Sequence, residues 1–217
     1  LFVDKRLIAA ERTVLIRGSG VDTSVFTPLP EPQTDLPVVL YAGRLLWQKG
    51  IREFTEAARL LRGQARFVVV GFVDANAPST VPAEWLQARA DEGIIEWWGK
   101  RDDMPQVFAQ SHIVCLPSTY GEGVPKVLIE AAACGRPIVA TDIPGCREIT
   151  QHEHNGLLVP PGDVPALADA LRRLIADPNQ RRQMGAQGRQ LAEAHFSLQQ
   201  VITETLDLYQ RLLHQHS

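Results

Sequence analysis

The chain has 217 residues, of which 45% are hydrophobic and 22% are charged, and these fractions exclude a disordered or fibrous protein. The 22 Lys and Arg residues against 25 Asp and Glu residues give a net charge of -3, which argues against a broad nucleic-acid binder, because neutralising phosphates needs a basic surface. The three cysteines are widely spaced, and no apolar run approaches the roughly 20 residues of a membrane helix, so we expect neither a disulfide framework nor a transmembrane segment.

The start of the chain suggests a part of a larger protein. Leu1 lies in a charged stretch, the first methionine is Met104, and no signal-peptide pattern is present. We therefore expect a domain excised from a longer chain, with a processed N-terminus as the alternative. The unpaired cysteine count predicts a reducing, cytoplasmic location.

Short aliphatic runs alternate with amphipathic stretches along most of the chain, which is typical of strands followed by helices. In chain order, the expected elements are a strand with a turn at 14–21, a proline-rich loop at 28–37, a strand at 38–41, a helix at 51–61, a strand at 66–70, a helix at 84–92, a strand at 94–97, a helix at 105–110, a strand at 113–116, a helix at 125–134, strands at 137–140 and 156–159, and helices at 164–175, 178–195 and 198–213. The last three helices have no strand between them, so we expect them to pack as a tail.

These elements predict an α/β fold with a doubly wound parallel sheet, because strand–helix alternation at this spacing favours parallel pairing with right-handed crossovers. The continuously apolar strands indicate a sheet covered by helices on both faces. We expect a strand and turn over 1–28, a Rossmann-like domain over 37–196 and a tail helix over 197–217. Ligands of such sheets bind outside the carboxyl ends of the strands. The segments of interest are therefore 43–50, 71–74, 99–102, 117–126 and 141–145.

The first of these segments carries two cations. Arg44 and Lys49 lie between Gly43 and Gly50, in the loop that joins the first strand of the sheet to its helix. Two cations and the free N–H groups at a helix N-terminus suit a diphosphate. A solvated basic loop is the alternative interpretation.

A second segment carries two acids. Glu122 lies between glycines just before a predicted helix, whose first turn suits Pro125, and Glu130 follows eight residues later. Eight helical residues rise about 12 Å, which matches the span from a sugar across a diphosphate to a ribose and exceeds the roughly 5–9.5 Å of glycosidase carboxylates. Glu122 suits sugar hydroxyls and Glu130 suits vicinal ribose hydroxyls. The alternatives are a helix cap for Glu122 and a solvated helix surface for Glu130, although the apolar neighbours of Glu130 favour a carboxylate with a partner.

The run from Glu122-Gly123 through Glu130-Ala131 to Cys134-Gly135 resembles the E-x7-E signature of the retaining glycosyltransferases of family 4, which have the GT-B fold. Other matching segments follow in the order of that family: Gly18-Ser19-Gly20-Val21-Asp22, Gly43-Arg44, Lys49-Gly50, Val70-Gly71, Leu116-Pro117-Ser118, and Asn155-Gly156 with Pro161-Gly162-Asp163. The resemblance covers essentially the whole chain.

The resemblance implies the nucleotide-sugar donor half of a two-domain enzyme, without the N-terminal acceptor-binding domain. It implies that Arg44 and Lys49 bind the donor diphosphate and that Glu122 contacts the transferred sugar, which makes these three the expected catalytic residues. It implies that Glu130 binds the ribose and that the loop after Gly99 approaches the base. The expected substrate-binding residues are Gly43, Arg44, Lys49, Gly99, Lys100, Glu122, Gly123, Val124, Pro125, Lys126, Val127 and Glu130.

The expected activity is sugar transfer with retention from a nucleotide-diphosphate donor, UDP-sugar by preference, to an acceptor hydroxyl. A lipid-linked glycan acceptor in polysaccharide, lipopolysaccharide or glycolipid synthesis is expected by analogy with the family. The resemblance implies neither a metal nor another cofactor, and it implies a cytoplasmic protein, free or peripheral at the membrane. The fragment alone is expected to be inactive. The alternatives are a nucleotide-sugar 2-epimerase and a non-catalytic nucleotide-binding module.

Several other residues attract attention by type. His152 and His154 lie in a polar loop and lack a third ligand, so we expect them in solvent rather than on a metal. Cys115 and Cys134 are expected as small core residues.

Overall fold

A computed structural model describes residues 5, 7–10, 13–16, 20–74, 77–121 and 123–214. Its centre is a six-stranded parallel sheet with the strand order β3-β2-β1-β4-β5-β6. The strands are β1 (Val38–Ala42), β2 (Arg66–Val70), β3 (Glu96–Trp97), β4 (Ile113–Leu116), β5 (Ile138–Thr141) and β6 (Gly156–Val159). The predicted doubly wound parallel sheet is confirmed.

Helices follow the strands as the sequence predicted. They are α1 (Ile51–Leu60), α2 (Ala83–Asp91), α3 (Met104–Ala109), α4 (Lys126–Ala133), α5 (Pro144–Ile149), α6 (Val164–Ala176), α7 (Pro178–His195) and α8 (Leu198–His214). Two elements were not predicted, namely α5 and a 3-10 turn at Trp47–Lys49. Neither element is long enough to show a helical period. In addition, a proline such as Pro144 can mark the end of an element as well as the first turn of a helix, so the sequence did not predict that α5 begins there.

The strand predicted at 94–97 is shorter in the structure. The N–H groups of Ile94 and Ile95 donate to the carbonyl oxygen of Arg89, at 3.0 and 3.4 Å, near the end of α2. Only Glu96 and Trp97 are therefore left to pair with β2.

The core lies on both faces of the sheet, as continuously apolar strands require. Every residue of β1, β4 and β5 is buried. α1 covers one face through its predicted apolar stripe, and Phe54, Ala57, Ala58 and Leu61 are each at most 2% exposed. The stripe thus fixes the start of α1 beside the carboxyl end of β1.

The last helices do not all form a tail. α6 packs against α1 and the β5–β6 edge, and α7 packs against α4 so closely that a Cβ on Gly185 would lie 2.0 Å from the carbonyl oxygen of Gly135. The prediction of a tail was therefore wrong for α6 and α7, because consecutive helices can still cover the end of a sheet. α8 differs, since none of its described residues is buried. None of the described helices has the length and apolar composition to cross a membrane.

The segment before the sheet is joined to the last two helices. Val21 donates to the carbonyl oxygen of Phe196 and accepts from the N–H of Leu198, both at 2.8 Å. Of the strand expected at 14–21, residues 14–16 have no regular structure and 17–19 lie outside the described residues. The loop predicted at 28–37 is confirmed as irregular. The division into 1–28, 37–196 and 197–217 stays a prediction.

Candidate functional site

Glycines allow neighbouring strands to end close together. The N–H of Gly43, after β1, donates to the carbonyl oxygen of Val70 at 3.0 Å, and the N–H of Gly71, after β2, donates to that of Gly99 at 2.9 Å. A Cβ on Gly71 would lie 2.1 Å from the carbonyl oxygen of Gly43. Residue 71 must therefore be glycine so that the segments after β1 and β2 can leave the sheet side by side.

A cleft of about 320 Å³ opens beyond these glycines. It is lined by Ala42, Gly43, Arg44, Val70, Gly71, Phe72, Lys100, Arg101, Asp102, Met104, Val127 and Glu130. These residues end or follow β1 and β2, follow β3, or belong to α3 and α4. The cleft thus lies at the carboxyl ends of the strands where the strand order reverses between β1 and β4, which is where ligands of doubly wound sheets bind.

The cleft gathers part of the predicted set. Gly43, Arg44, Lys100, Val127 and Glu130 line it. The other predicted residues that the structure describes do not line the cleft; they are Lys49, Gly99, Gly123, Val124, Pro125 and Lys126. Glu122 lies outside the described residues. The roles assigned to all of these residues stay predictions.

Sequence reasoning did not name several lining residues. Phe72, Arg101 and Asp102 fall within the post-strand segments that were singled out, but no motif marked them individually. Phe72 is 44% exposed, which is unusual for a phenylalanine beside a buried strand. Met104 carried no signal, because only the fold brings the start of α3 to the cleft.

Arg44 projects from a loop whose backbone is fixed. The N–H of Val81 donates to the carbonyl oxygen of Leu45 at 2.8 Å, and the Tyr41 hydroxyl donates to that of Arg44 at 3.3 Å. The side chain of Arg44 is exposed, and no described carboxylate lies within ion-pair distance of it. Arg44 therefore offers its full set of donors to an anion in the cleft.

Lys49 lies where two loops meet. The N–H of Thr119 donates to the carbonyl oxygen of Gln48 at 2.9 Å, which ties the loop after β4 to the loop after β1. The ammonium of Lys49 lies 5.6 Å from the centre of the Tyr120 ring. Lys49 thus belongs to the loop that supplies Arg44 to the cleft, but it does not itself line the cleft.

Glu130 is the most enclosed acid of the cleft. It lies in α4, its side chain is 12% exposed, and its Oε1 lies 3.6 Å from the ammonium of Lys126. Burial raises the pKa of the Glu130 carboxyl, and the charge of Lys126 partly opposes this shift. A carboxylate in this position gains from hydroxyl donors supplied by a ligand.

The geometry corrects one premise of the sequence argument. α4 begins at Lys126, and Pro125 is its N-cap rather than part of its first turn. Residues 123–125 are therefore not helical, and the rise of about 12 Å for eight helical residues does not apply between Glu122 and Glu130. The comparison with glycosidase carboxylates that rested on this distance no longer holds.

The lining of the cleft also includes an aromatic ring and paired charges. Arg101 donates to both carboxylate oxygens of Asp103, at 2.7 and 2.5 Å, and Lys100 lies 3.3 Å from Asp102. Phe72 lines the same cleft and is exposed. A flat ring with polar edges suits such a mixture of an apolar surface and hydrogen-bonding groups.

The remaining candidates are structural. His152 and His154 are exposed as predicted, and Nδ1 of His152 accepts the N–H of Leu158 at 3.0 Å. Among the described residues, no group of three His, Cys, Asp or Glu side chains could hold a metal; that the protein needs no metal stays a prediction. Cys115 and Cys134 are buried as predicted, and burial raises the pKa of the Cys134 thiol to about 12.

A family model described as Glycosyl transferases group 1 matches residues 36–177, which include the whole cleft. The chain belongs to this family. Its fold is that of the Rossmann-like domains of GT-B glycosyltransferases, as the resemblance implied.

Individual glycosyltransferases are similar over most of the chain. An N,N'-diacetylbacillosaminyl-diphospho-undecaprenol alpha-1,3-N-acetylgalactosaminyltransferase of Campylobacter jejuni is 33% identical over 82% of this chain and 45% of its own length. The structure of sucrose-phosphate synthase from Thermosynechococcus elongatus superposes with a TM-score of 0.84 at 30% identity, over 98% of this chain and 56% of that one. Anabaena HepE in complex with UDP superposes with a TM-score of 0.81 at 24% identity, over 94% and 60%. The chain thus spans about half the length of the curated relatives that it matches.

Proposed function

We propose that this chain is the donor-binding domain of a retaining glycosyltransferase that takes a sugar from a nucleotide diphosphate, with UDP as the nucleotide. The observation that carries the proposal is that Arg44 and Glu130 line one cleft at the carboxyl ends of the strands. An unobstructed guanidinium suits a diphosphate, and an enclosed carboxylate suits two vicinal hydroxyls. UDP is favoured because HepE was solved in complex with UDP.

In this proposal the donor lies across the carboxyl ends of the strands, where the strand order reverses between β1 and β4. The base rests near Phe72 and the loop after Gly99, the ribose hydroxyls donate to Glu130, and the diphosphate is held by Arg44 and Lys49. Such an arrangement uses the exposed aromatic surface of the cleft for the flat ring and its cationic side for the phosphates.

The chemical step places negative charge on the leaving diphosphate. Fixed cations stabilise that charge without reorganising, so Arg44 and Lys49 are proposed to act on the transition state as well as on binding. The N–H groups at the start of α4 add to the positive potential. Glu122 is proposed to hold the transferred sugar so that an acceptor hydroxyl attacks the anomeric carbon on the side that the diphosphate leaves, which retains its configuration.

The acceptor is proposed to bind outside this chain, on the part of a longer protein that the curated relatives possess. A lipid-linked glycan precursor is the acceptor class that we favour, since the name of the Campylobacter relative includes diphospho-undecaprenol. A role in polysaccharide, lipopolysaccharide or glycolipid synthesis on the cytoplasmic side of a membrane follows from that acceptor.

Isothermal titration calorimetry with UDP, GDP, ADP and UDP-sugars tests the donor assignment. We expect UDP to bind the 217-residue chain, and UDP-sugars to bind without any transfer to an added acceptor. If the nucleoside diphosphates do not bind, or if Arg44→Ala and Glu130→Gln both bind UDP like the parent chain, the donor-site proposal is wrong. Product analysis with the full-length protein separates sugar transfer from epimerisation of the donor.

A further inference from the structure

A second cavity, of about 390 Å³, lies at the other end of α4 from the cleft described above. It is lined by Pro28, Leu29, Pro30, Glu31, Gly135, Arg136, Arg182, Ala186, Arg189 and Gln190. Val127 and Glu130 of α4 line the first cleft, whereas Gly135 and Arg136 follow the last turn of the same helix. The two cavities share no lining residue, so a ligand of the second is distinct from the nucleotide-sugar donor.

The lining of this cavity is cationic. Arg136, Arg182 and Arg189 contribute three positive charges and Glu31 contributes one negative charge, which leaves a net charge of two positive. Glu31 is already compensated, because its two carboxylate oxygens accept hydrogen bonds from Arg181 at 2.8 and 3.0 Å. Because Glu31 is shared with Arg181, it offsets only part of the positive charge of the three lining arginines.

Arg136 is the unusual member of the group. It is 2% exposed, its Nε donates to the carbonyl oxygen of Phe108 at 2.9 Å, and its Nη2 donates to that of Pro30 at 3.3 Å. No described carboxylate lies within ion-pair distance of it, and burial lowers the pKa of its guanidinium. The two carbonyl dipoles and the charge of Glu31 compensate Arg136 only in part, so an anion that approaches its guanidinium stabilises it further.

The other two arginines differ in the number of their hydrogen-bond partners. Arg189 donates to the carbonyl oxygens of Phe26 and Ala133 at 2.6 and 2.8 Å and to Glu193 at 2.7 Å, so its guanidinium is held in place. Arg182 is exposed, and its one described partner is the side-chain oxygen of Asn179. The cavity thus combines fixed cations with one that can adjust to a ligand, and pre-arranged cations bind an anion with little loss of entropy.

We propose that this cavity binds a small phosphorylated compound, with Arg136 and Arg182 as partners of the phosphate and with Pro28, Leu29 and Pro30 as the apolar wall for its uncharged part. The phosphate supplies the negative charge that the lining lacks, and guanidinium groups match its oxygens by paired hydrogen bonds. The inference does not depend on the identity of the sugar donor.

Calorimetric titration with inorganic phosphate and with glycerol 3-phosphate tests this site, with glycerol as the neutral control. The 217-residue chain is first saturated with UDP so that the first cleft is occupied; if UDP does not bind, the Arg44→Ala variant removes that cleft from the measurement. We expect both phosphates to bind under these conditions, glycerol 3-phosphate more tightly, and glycerol not to bind. Absence of binding by both phosphates, or their displacement by UDP, overturns the proposal.

Charge variants then locate the binding. We expect Arg182→Glu to weaken binding of glycerol 3-phosphate by about tenfold or more, since it replaces a charge-assisted hydrogen bond by repulsion. Arg172→Glu is the matched control, because Arg172 is an exposed arginine on α6 that lines neither cavity. Arg136→Gln should abolish binding, and its melting temperature is measured alongside because the variant loses the hydrogen bonds to Phe108 and Pro30. If Arg136→Gln does not fold, Arg182→Glu still decides, and equal affinity of that variant and the parent overturns the proposal.

Discussion

The backbone of Gly50 packs directly against that of Pro117, and a Cβ at residue 50 would lie 1.9 Å from the carbonyl oxygen of Pro117. Gly50 also has a φ of +79°, a conformation that favours glycine, and it precedes the first residue of α1. This approach joins the loops that leave β1 and β4, and it places Lys49 beside Tyr120. One glycine therefore sets the spacing between these two loops, the first of which contributes Gly43 and Arg44 to the cleft.

Gly50→Ala should destabilise the chain more than a positive φ alone explains. Gly63→Ala is the matched control, since Gly63 also has a φ of +79° but a Cβ there meets nothing within 4 Å. We expect about 1–2 kcal/mol of lost stability for the control, and about 1–3 kcal/mol more for Gly50→Ala because backbone atoms must move. Chemical denaturation measures both, and equal losses would show that the approach to Pro117 is relaxed at no cost.

Arg44→Ala and Lys49→Ala should weaken UDP binding without changing the melting temperature. Losing a hydrogen bond to a charged group costs about 1.5–3 kcal/mol, which lowers affinity by roughly tenfold to a hundredfold. Arg172→Ala serves as the control for the loss of an exposed arginine elsewhere. Calorimetry gives the affinities, and parent-like binding by both variants would identify the loop as a solvated basic surface.

The two glutamates should separate by ligand. Glu130→Gln is expected to weaken UDP and UDP-sugar alike, because both carry the ribose assigned to it. Glu122→Gln is expected to leave UDP binding nearly unchanged and to weaken only the additional binding due to the sugar; in the full-length protein it should also lower turnover. The comparison is made on variants whose melting temperatures match the parent. Equal losses of UDP affinity in both variants would contradict this division of roles.

UDP binding should depend on pH through Glu130. Burial raises the pKa of its carboxyl above the ordinary glutamate value, so the ionised acceptor is lost at a higher pH than for an exposed glutamate. As the pH falls through that pKa, the affinity ratio of the parent to Glu130→Gln should fall towards one. Because both proteins bind the same ligand, this affinity ratio is unaffected by the titration of UDP itself. An affinity ratio that stays constant down to the ordinary glutamate pKa would argue against a ribose contact by the Glu130 carboxylate.

His112 should make the stability of the fold sensitive to acid. It is 4% exposed, and its Nδ1 accepts the N–H of Val38 at 3.0 Å, at the start of β1. Burial lowers the pKa of this imidazole, so the unfolded chain binds a proton more readily than the folded chain. The contribution of His112 is therefore complete above about pH 6.5 and is lost as the pH falls through the lowered pKa.

Denaturation curves between about pH 7 and 5 test this dependence. His112→Asn should flatten the pH dependence of the free energy of unfolding, because an amide oxygen can accept the same N–H without titrating. His154→Asn is the control, since His154 is exposed. If the parent and His112→Asn lose stability in parallel, other groups cause the acid sensitivity.

Local patterns in the sequence determined the elements and the place of the cleft. The strands at 66–70, 113–116 and 156–159 have the bounds predicted for them, because a continuous apolar run between turn residues is a short-range signal. Arg44 was identifiable because it follows a strand end, where such sheets bind ligands, and Glu130 because it completes the run that resembles the E-x7-E signature.

Contacts between distant parts of the chain were decided only by the tertiary structure. Gly50 meets Pro117, and Arg181 pairs with Glu31 across 150 residues of sequence. The same is true of Phe72 and Met104 in the cleft, and of α7 against α4. Periodicity and propensity describe which face of an element is apolar, but they hold no information on which distant element covers that face, since this depends on how all the elements fill the core together.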